Sequence, residues 1–251
     1  MPVDFLTVEQ KEEYGQFSGN PDEMQLARYF HLDDADLSLI VNRRGEQNRL
    51  GFGLQLTSVR FLGNFIPDFT RVPLNVQLFV ARQLSVNDLS VLAAYAQRET
   101  TKREHTALIR KYYGYHEFGE HPWSFRLTRL LYNRAWINNE RPCLMFDFAT
   151  AWLIQNKVLL PGATTLTKLI SRIRESSANR LWEKLSILPT ENQKANLEKL
   201  LEVPDGRRTS GFDHYSKGPV SISGNAFIKS VERFTDLKSF GMQELDFAIY
   251  H

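Results

Sequence analysis

Within residues 48–62 the apolar side chains Leu50, Leu54, Val59, Phe61 and Leu62 recur at helical spacings, no proline intervenes, and the stretch runs out at Gly63. An α-helix stacks such positions on one side, so the pattern predicts a buried helix stopped by a glycine. Thr7-Val8-Glu9-Gln10 and Thr190-Glu191-Asn192-Gln193 both place a glutamine three residues after a threonine. Each pair can reciprocally satisfy free amides at a helix start, so each marks an N-terminus. Further along, Leu166, Leu169, Ile170, Ile173, Leu181, Trp182 and Leu185 form the buried stripe of a long helix over 164–185. Thr164 is its expected cap, and a shorter helix over 147–156 and a turn at Leu160-Pro161-Gly162 precede it. Strand-type alternation is almost absent, the best short run being 220–222 after Gly218-Pro219. The chain therefore reads as all-α, made of several small helical modules that include helix-turn-helix-like units, with little or no β structure.

Proline and glycine punctuate the chain at Ile66-Pro67-Asp68 with Val72-Pro73, at Tyr113-Gly114-Tyr115 to His121-Pro122, and at Val203-Pro204-Asp205-Gly206-Arg207-Arg208. These breaks suggest a helical module over 1–70, a helix-turn-helix-like module with a basic tail over 71–118, and a larger helical module over 119–251. In the second of these, residues 77–96 fit a helix-turn-helix. Ala81 supplies the small residue where two helices touch, and Val80, Leu84, Val86, Val91 and Ala94 are placed to lock their angle. Ser85 stands at the turn position where glycine is usual, because that position often needs a positive φ. Asn87 and Asp88 open the second helix with capping chemistry rather than phosphate-binding chemistry, so this unit reads more as scaffold than as a DNA reader.

The formal net charge of +2 conceals an uneven distribution: residues 1–36 hold two basic and nine acidic side chains, whereas 98–184 hold fifteen basic and eight acidic. The middle of the chain is thus a candidate for polyanion contact. Arg98, Thr101, Lys102, Arg103, His105, Arg110 and Lys111 follow the helix-turn-helix and suit phosphate oxygens. On the 164–185 helix, Thr165, Lys168, Arg172 and Asn179 lie opposite the apolar stripe, with Thr164 at the start and Arg174 near the edge. Guanidinium, amide and threonine groups on one helix face match base edges in a major groove. Arg43, Arg44 and Arg49, with Gln47 and Asn48 between them, form a third cluster suited to phosphate or minor-groove contact. A solvated helix face is the alternative reading of the first two. Trp123, Phe125, Trp136, Phe146, Phe148 and Trp152 read as core packing, with base stacking amid Arg126, Arg129 and Arg134 as the alternative.

Several chemistries find no support. The one cysteine, Cys143, has no disulfide partner, and the six histidines show no metal-ligand spacing. A two-metal nuclease needs converging carboxylates, whereas Asp68, Asp147, Glu175 and Asp213 read as isolated caps or surface charges. No glycine-rich phosphate loop or G-x-S-x-G nucleophile turn occurs. No catalytic and no metal-binding residue is therefore assigned. No run of 18 apolar residues occurs, and the opening Met1-Pro2-Val3-Asp4 carries no export pattern, so the expected setting is the cytoplasm without membrane contact.

Three early blocks, Pro2-Val3-Asp4-Phe5-Leu6-Thr7, Gln25-Leu26-Ala27-Arg28-Tyr29-Phe30-His31-Leu32 and Arg49-Leu50-Gly51-Phe52 through Arg60-Phe61-Leu62-Gly63, carry a family pattern. It continues in Val80-Ala81-Arg82-Gln83-Leu84, Arg98-Glu99-Thr100-Thr101, Ala151-Trp152-Leu153-Ile154 and Lys157-Val158-Leu159-Leu160-Pro161-Gly162. Over nearly its whole length the chain resembles the N-terminal region of Tn-three-family replicative transposases. The resemblance implies a bacterial protein that binds double-stranded DNA at terminal inverted repeats through helical modules, associates with the nucleoid when bound, and forms a homodimer through the longer protein. The family's acidic triad and RNase H-like domain lie further toward the C-terminus and match nothing here. The chain is thus expected to be a non-catalytic N-terminal part without a cofactor, magnesium belonging with the catalytic domain. Three other readings stay open: a self-association or protein-interaction module, a truncated repressor-like product that occupies the ends, and a nuclease whose carboxylates converge only in space.

Overall fold

The helix expected over 48–62 runs Glu46–Leu62 (α4) and stops at Gly63, whose φ of 72° lies in the left-handed region and whose N–H donates to the Val59 carbonyl. It is buried on every side rather than along one stripe, since all of residues 50–59 are buried. Two glycines allow this. A Cβ on Gly51 would lie 2.3 Å from the Tyr95 ring, and one on Gly53 would lie 3.1 Å from Leu84 and Val80. Two of the buried polar residues of α4 find partners inside, while the Ser58 hydroxyl finds none: the Gln55 side chain donates to the Ile66 carbonyl and accepts the Ile66 N–H, both at 2.9 Å. The Thr57 hydroxyl donates to the Gly53 carbonyl at 2.9 Å. Without such partners each buried polar group would cost about 1–3 kcal/mol.

The structure, a computed structural model, describes residues 5–187, 189–206, 208–216, 218 and 223–238. Among the described residues it contains thirteen α-helices and no strand, which bears out the all-α reading. A first core forms around α4 from α2 (Glu23–Tyr29), α3 (Asp34–Val41), α5 (Leu74–Gln83), α6 (Val91–Ala96) and α7 (Glu99–Tyr113), so the 1–70 and 71–118 stretches contribute to it jointly. Gln83 ties α5 to the end of α2, accepting the Leu32 N–H at 2.8 Å and donating to the Phe30 carbonyl at 3.0 Å. A second core joins α8 (Trp123–Ile137), α9 (Pro142–Gln155) and α10 (Ala163–Ile187). Phe5 and Tyr14, on either side of α1 (Val8–Glu13), pack on Phe146 with ring centroids 6.3 and 5.0 Å apart. The segment from Phe5 to Tyr14 is thereby held on the second core.

A short seam connects the cores. His116 N–H donates to the Lys157 carbonyl at 2.9 Å, Leu159 N–H to the His116 carbonyl at 2.8 Å, and Leu160 N–H to the Gly63 carbonyl at 3.1 Å. Both cores lie in a compact unit that ends at Ala178, and a second unit begins at Asn179. The second unit contains α11 (Glu191–Lys199), α12 (Gly211–Ser216) and α13 (Gly224–Lys238). Within it Phe212 N–H donates to the Leu200 carbonyl at 2.8 Å.

Thr7 and Thr190 form the capping boxes that their spacing predicts, and Asp22 with Gln25 and Asp33 with Asp36 form two more. Ser85 has a φ of 54°, as its place in the turn demands. Other expectations are corrected. Helix α6 begins at Val91, not at Asn87, because the Asp88 carboxylate accepts the Ser90 N–H at 2.9 Å and the Ser90 hydroxyl at 2.7 Å in a turn of its own. Ala94 is exposed rather than locked between helices. Helix α9 starts at Pro142, five residues ahead of the expected Asp147, because a proline needs no amide partner in the first turn. Trp182 and Phe125 are exposed at 69% and 61%, not buried. The expected run at 220–222 lies outside the described residues.

Gly51→Ala should destabilise the fold by about 1–3 kcal/mol, because the new methyl overpacks against Tyr95 by more than the gain in helix propensity. Urea unfolding reads this directly. Ser85→Gly should raise stability by up to about 1 kcal/mol in the same assay, since glycine adopts the left-handed backbone without the side-chain clash.

Candidate nucleic-acid interface

Helix α10 starts earlier than its composition suggests. The Gly162 carbonyl accepts Thr165 N–H at 2.8 Å and Leu166 N–H at 3.2 Å, so Thr164 sits inside the first turn and is not the cap. Leu166, Ile170 and Ile173 enter the second core, which fixes the rotation of the helix. Thr164, Thr165, Lys168 and Arg172 consequently face solvent, with Asn179 also exposed further along. Lys168 and Arg172 are one turn apart on a single ridge. Neither meets a carboxylate among the described residues. Arg174 is half-buried and donates to the Asn139 side chain at 3.2 Å, which ties it to the loop between α8 and α9.

The other two clusters are less free. Along α7, Arg98, Arg103 and Lys111 are exposed and Thr101 is half-buried. Lys102 pairs with Glu99 at 2.5 Å, and Arg110 pairs with Glu117 at 2.7 Å and Glu120 at 3.1 Å. Near the start of α4, Arg44 is exposed, whereas Arg49 lies 3.8 Å from Glu46. Arg43 is half-buried, donating to the Leu39 carbonyl at 3.3 Å with its guanidinium 5.6 Å from the Phe52 ring centroid. His105 is not at the surface at all. It is 4% exposed, its Nδ1 is 2.9 Å from the Tyr95 hydroxyl, and its ring packs 5.1 Å from that of Phe52. Burial, with the nearby Arg43 charge adding to it, pushes its pKa down to about 4. It is therefore a neutral part of the first core, buried by the helical period of α7 that also buries Ile109.

The structure also assembles a polar group that sequence spacing does not reveal. Arg60 forks onto the fully buried Asp36 carboxylate at 2.6 and 2.8 Å, and the Tyr113 hydroxyl donates to the same carboxylate at 2.5 Å. Burial pushes the Asp36 carboxyl up, but the bonds from Arg60 and Tyr113 outweigh it and hold the group below the usual range. The three residues come from α3, α4 and α7, so only the folded core brings them together. Arg126 and Arg129 of α8, read from sequence only as neighbours of core aromatics, are exposed. Among the described residues, no group of three His, Cys, Asp or Glu side chains could hold a metal ion. No described helix is long and apolar enough to cross a membrane.

Residues 5–173 match the family described as Domain of unknown function (DUF4158). The chain belongs to that family. Over 99% of its length it is 59% identical to the transposase for transposon gamma-delta of Escherichia coli (strain K12), covering 25% of that protein. It is 28% identical over 99% of its length to the transposase for transposon Tn1546 of Enterococcus faecium, again covering 25%. To the transposase for transposon Tn501 of Pseudomonas aeruginosa it is 30% identical over 88% of its length, covering 22%. The chain thus spans about a quarter of the length of the curated relatives it matches, their N-terminal quarter. This bears out the resemblance to the N-terminal region of Tn-three-family transposases.

The depressed His105 pKa sets a pH window for this DUF4158 fold. The unfolded chain takes up the His105 proton near the ordinary value of 6.5, whereas the folded one resists until about 4. The stabilisation is therefore complete above pH 6.5 and lost as pH falls toward 4. Urea midpoints should drop across that window, and a non-titrating His105→Asn variant should show a flatter dependence.

Proposed function

We propose that this chain binds double-stranded DNA at the terminal inverted repeats of a transposon, as the non-catalytic N-terminal part of a transposase. The observation that carries this reading is the exposed ridge of α10. Among the described residues Lys168 and Arg172 stand clear of any carboxylate, while the opposite side of the helix is fixed in the second core. A rigidly held helix presenting an ammonium, a guanidinium and hydroxyls can enter a major groove and meet base edges as well as phosphates. Helix α10 follows α9 after residues 156–162, and in this reading α10 takes the groove-reading position. Exposed Arg44, Arg98, Arg103 and Lys111 provide further backbone contacts. The printed names of the relatives support the transposon context, and their remaining three quarters would supply the metal-dependent chemistry. This chain then acts by binding alone and holds no cofactor of its own.

Fluorescence anisotropy with terminal-repeat and scrambled duplexes over a salt series tests the reading. The terminal repeat should bind more tightly, and both affinities should fall steeply with salt. Lys168→Ala with Arg172→Ala should weaken the terminal-repeat complex selectively, each lost base contact costing about 1–3 kcal/mol. Salt-insensitive binding, or none, would sink the proposal.

A further inference from the structure

Helix α8 carries three arginines and no aspartate or glutamate in its fifteen residues. Leu127 and Leu131 anchor it in the second core. By helical periodicity Phe125, Arg126, Arg129 and Asn133 fall on the opposite side, and all four are exposed. Arg134 points elsewhere: it forks onto Glu140, with its guanidinium 4.3 Å from the Phe148 ring centroid. The two outward arginines meet no carboxylate among the described residues. Arg126 is held over the Trp123 ring at 5.3 Å, a contact that leaves its charge available, and Arg129 has no partner among the described residues. The carboxylates just ahead of the helix are already engaged, Glu117 with Arg110 and Glu120 with both Arg110 and His116.

A solvated helix face ordinarily mixes both signs of charge. This one is cationic throughout, with an amide donor and an exposed aromatic edge, the combination that recognises a nucleic-acid backbone. We infer that α8 is a second DNA-contacting element. Arg126 and Arg129 lie against backbone phosphates, Asn133 donates to phosphate or sugar oxygens, and Phe125 packs against the sugar edge. The stacking of Arg126 on Trp123 restricts that side chain before binding and lowers the ordering cost of the contact. Whereas α10 reads sequence, α8 grips duplexes of any sequence. The inference rests on the DNA-binding reading of the chain.

The test uses the full chain with terminal-repeat and scrambled duplexes over a salt series, after melting curves show wild-type folding for each variant. Arg126→Ala with Arg129→Ala should weaken both complexes by the same factor. It should also make the slope of log affinity against log salt shallower by about 1.8, at about 0.9 per lost phosphate contact. Lysine at both positions should restore the slope, and Phe125→Ala should weaken both complexes with the slope unchanged. If the double alanine variant keeps wild-type affinity and slope while Lys168→Ala with Arg172→Ala weakens binding, the α8 assignment is overturned and DNA binding by the chain stands. Unchanged affinity in Phe125→Ala removes that side chain from the contact. Salt-insensitive binding or no binding by the unmodified chain overturns both readings.

Discussion

Tyr95 lies against the bare backbone of Gly51, closer than any side chain would allow, and the rest of the first core is arranged around that approach. Because α4 is enclosed over residues 50–59, its long polar side chains turn to partners within the fold. Gln55 finds one in the backbone of Ile66, and Arg60 finds one in Asp36. The same enclosure draws α7 inward through His105 and Ile109, which removes His105 from any surface role. A close helix approach thus determines which of the candidate cations remain outside.

The seam at residues 156–160 transmits this order to the second core. Lys157, with a φ of 54°, turns the chain out of α9 and donates through its ammonium to the Tyr113 carbonyl at 3.1 Å. Its own carbonyl and the Leu160 N–H are taken by His116 and Gly63, residues just beyond the ends of α7 and α4. A Cβ on Gly63 would also collide with Ile154 and Leu160, at 2.7 and 2.9 Å, so the end of the buried helix and the start of the turn before α10 require each other. The exposed ridge of α10 therefore rests on a scaffold set by α4, although it lies more than a hundred residues away in sequence.

Charge follows the same logic. Lys102, Arg110, Arg134 and Arg60 have carboxylate partners, so their positive potential is largely spent within the fold. Lys168 and Arg172 on α10, and Arg126 and Arg129 on α8, have none among the described residues. An ion pair formed within the chain competes with a phosphate for the same guanidinium, so the unpaired cations are the effective ones for a polyanion. This narrows a broad basic middle to its unpaired cations, which among the described residues also include the exposed Arg98, Arg103 and Lys111.

The sequence by itself determined the helical class, the end of α4 at Gly63, the capping boxes at Thr7 and Thr190, the left-handed turn at Ser85 and the outward placement of Lys168 and Arg172. These are local: each depends on a period of one helical turn, a cap three residues away or the φ range of one residue. Block similarity along the chain likewise identified its relatives. Only the tertiary structure decided that α4 is buried on every face, that His105 is interior, that Trp182 and Phe125 are exposed, and that Asp36, Arg60 and Tyr113 share one buried network. A hydrophobic period tells which side of a helix is apolar, but not whether a second or third helix closes over the other sides. Nor does a list of arginines tell which will find a carboxylate, because those pairings are made by chain segments that meet only after folding.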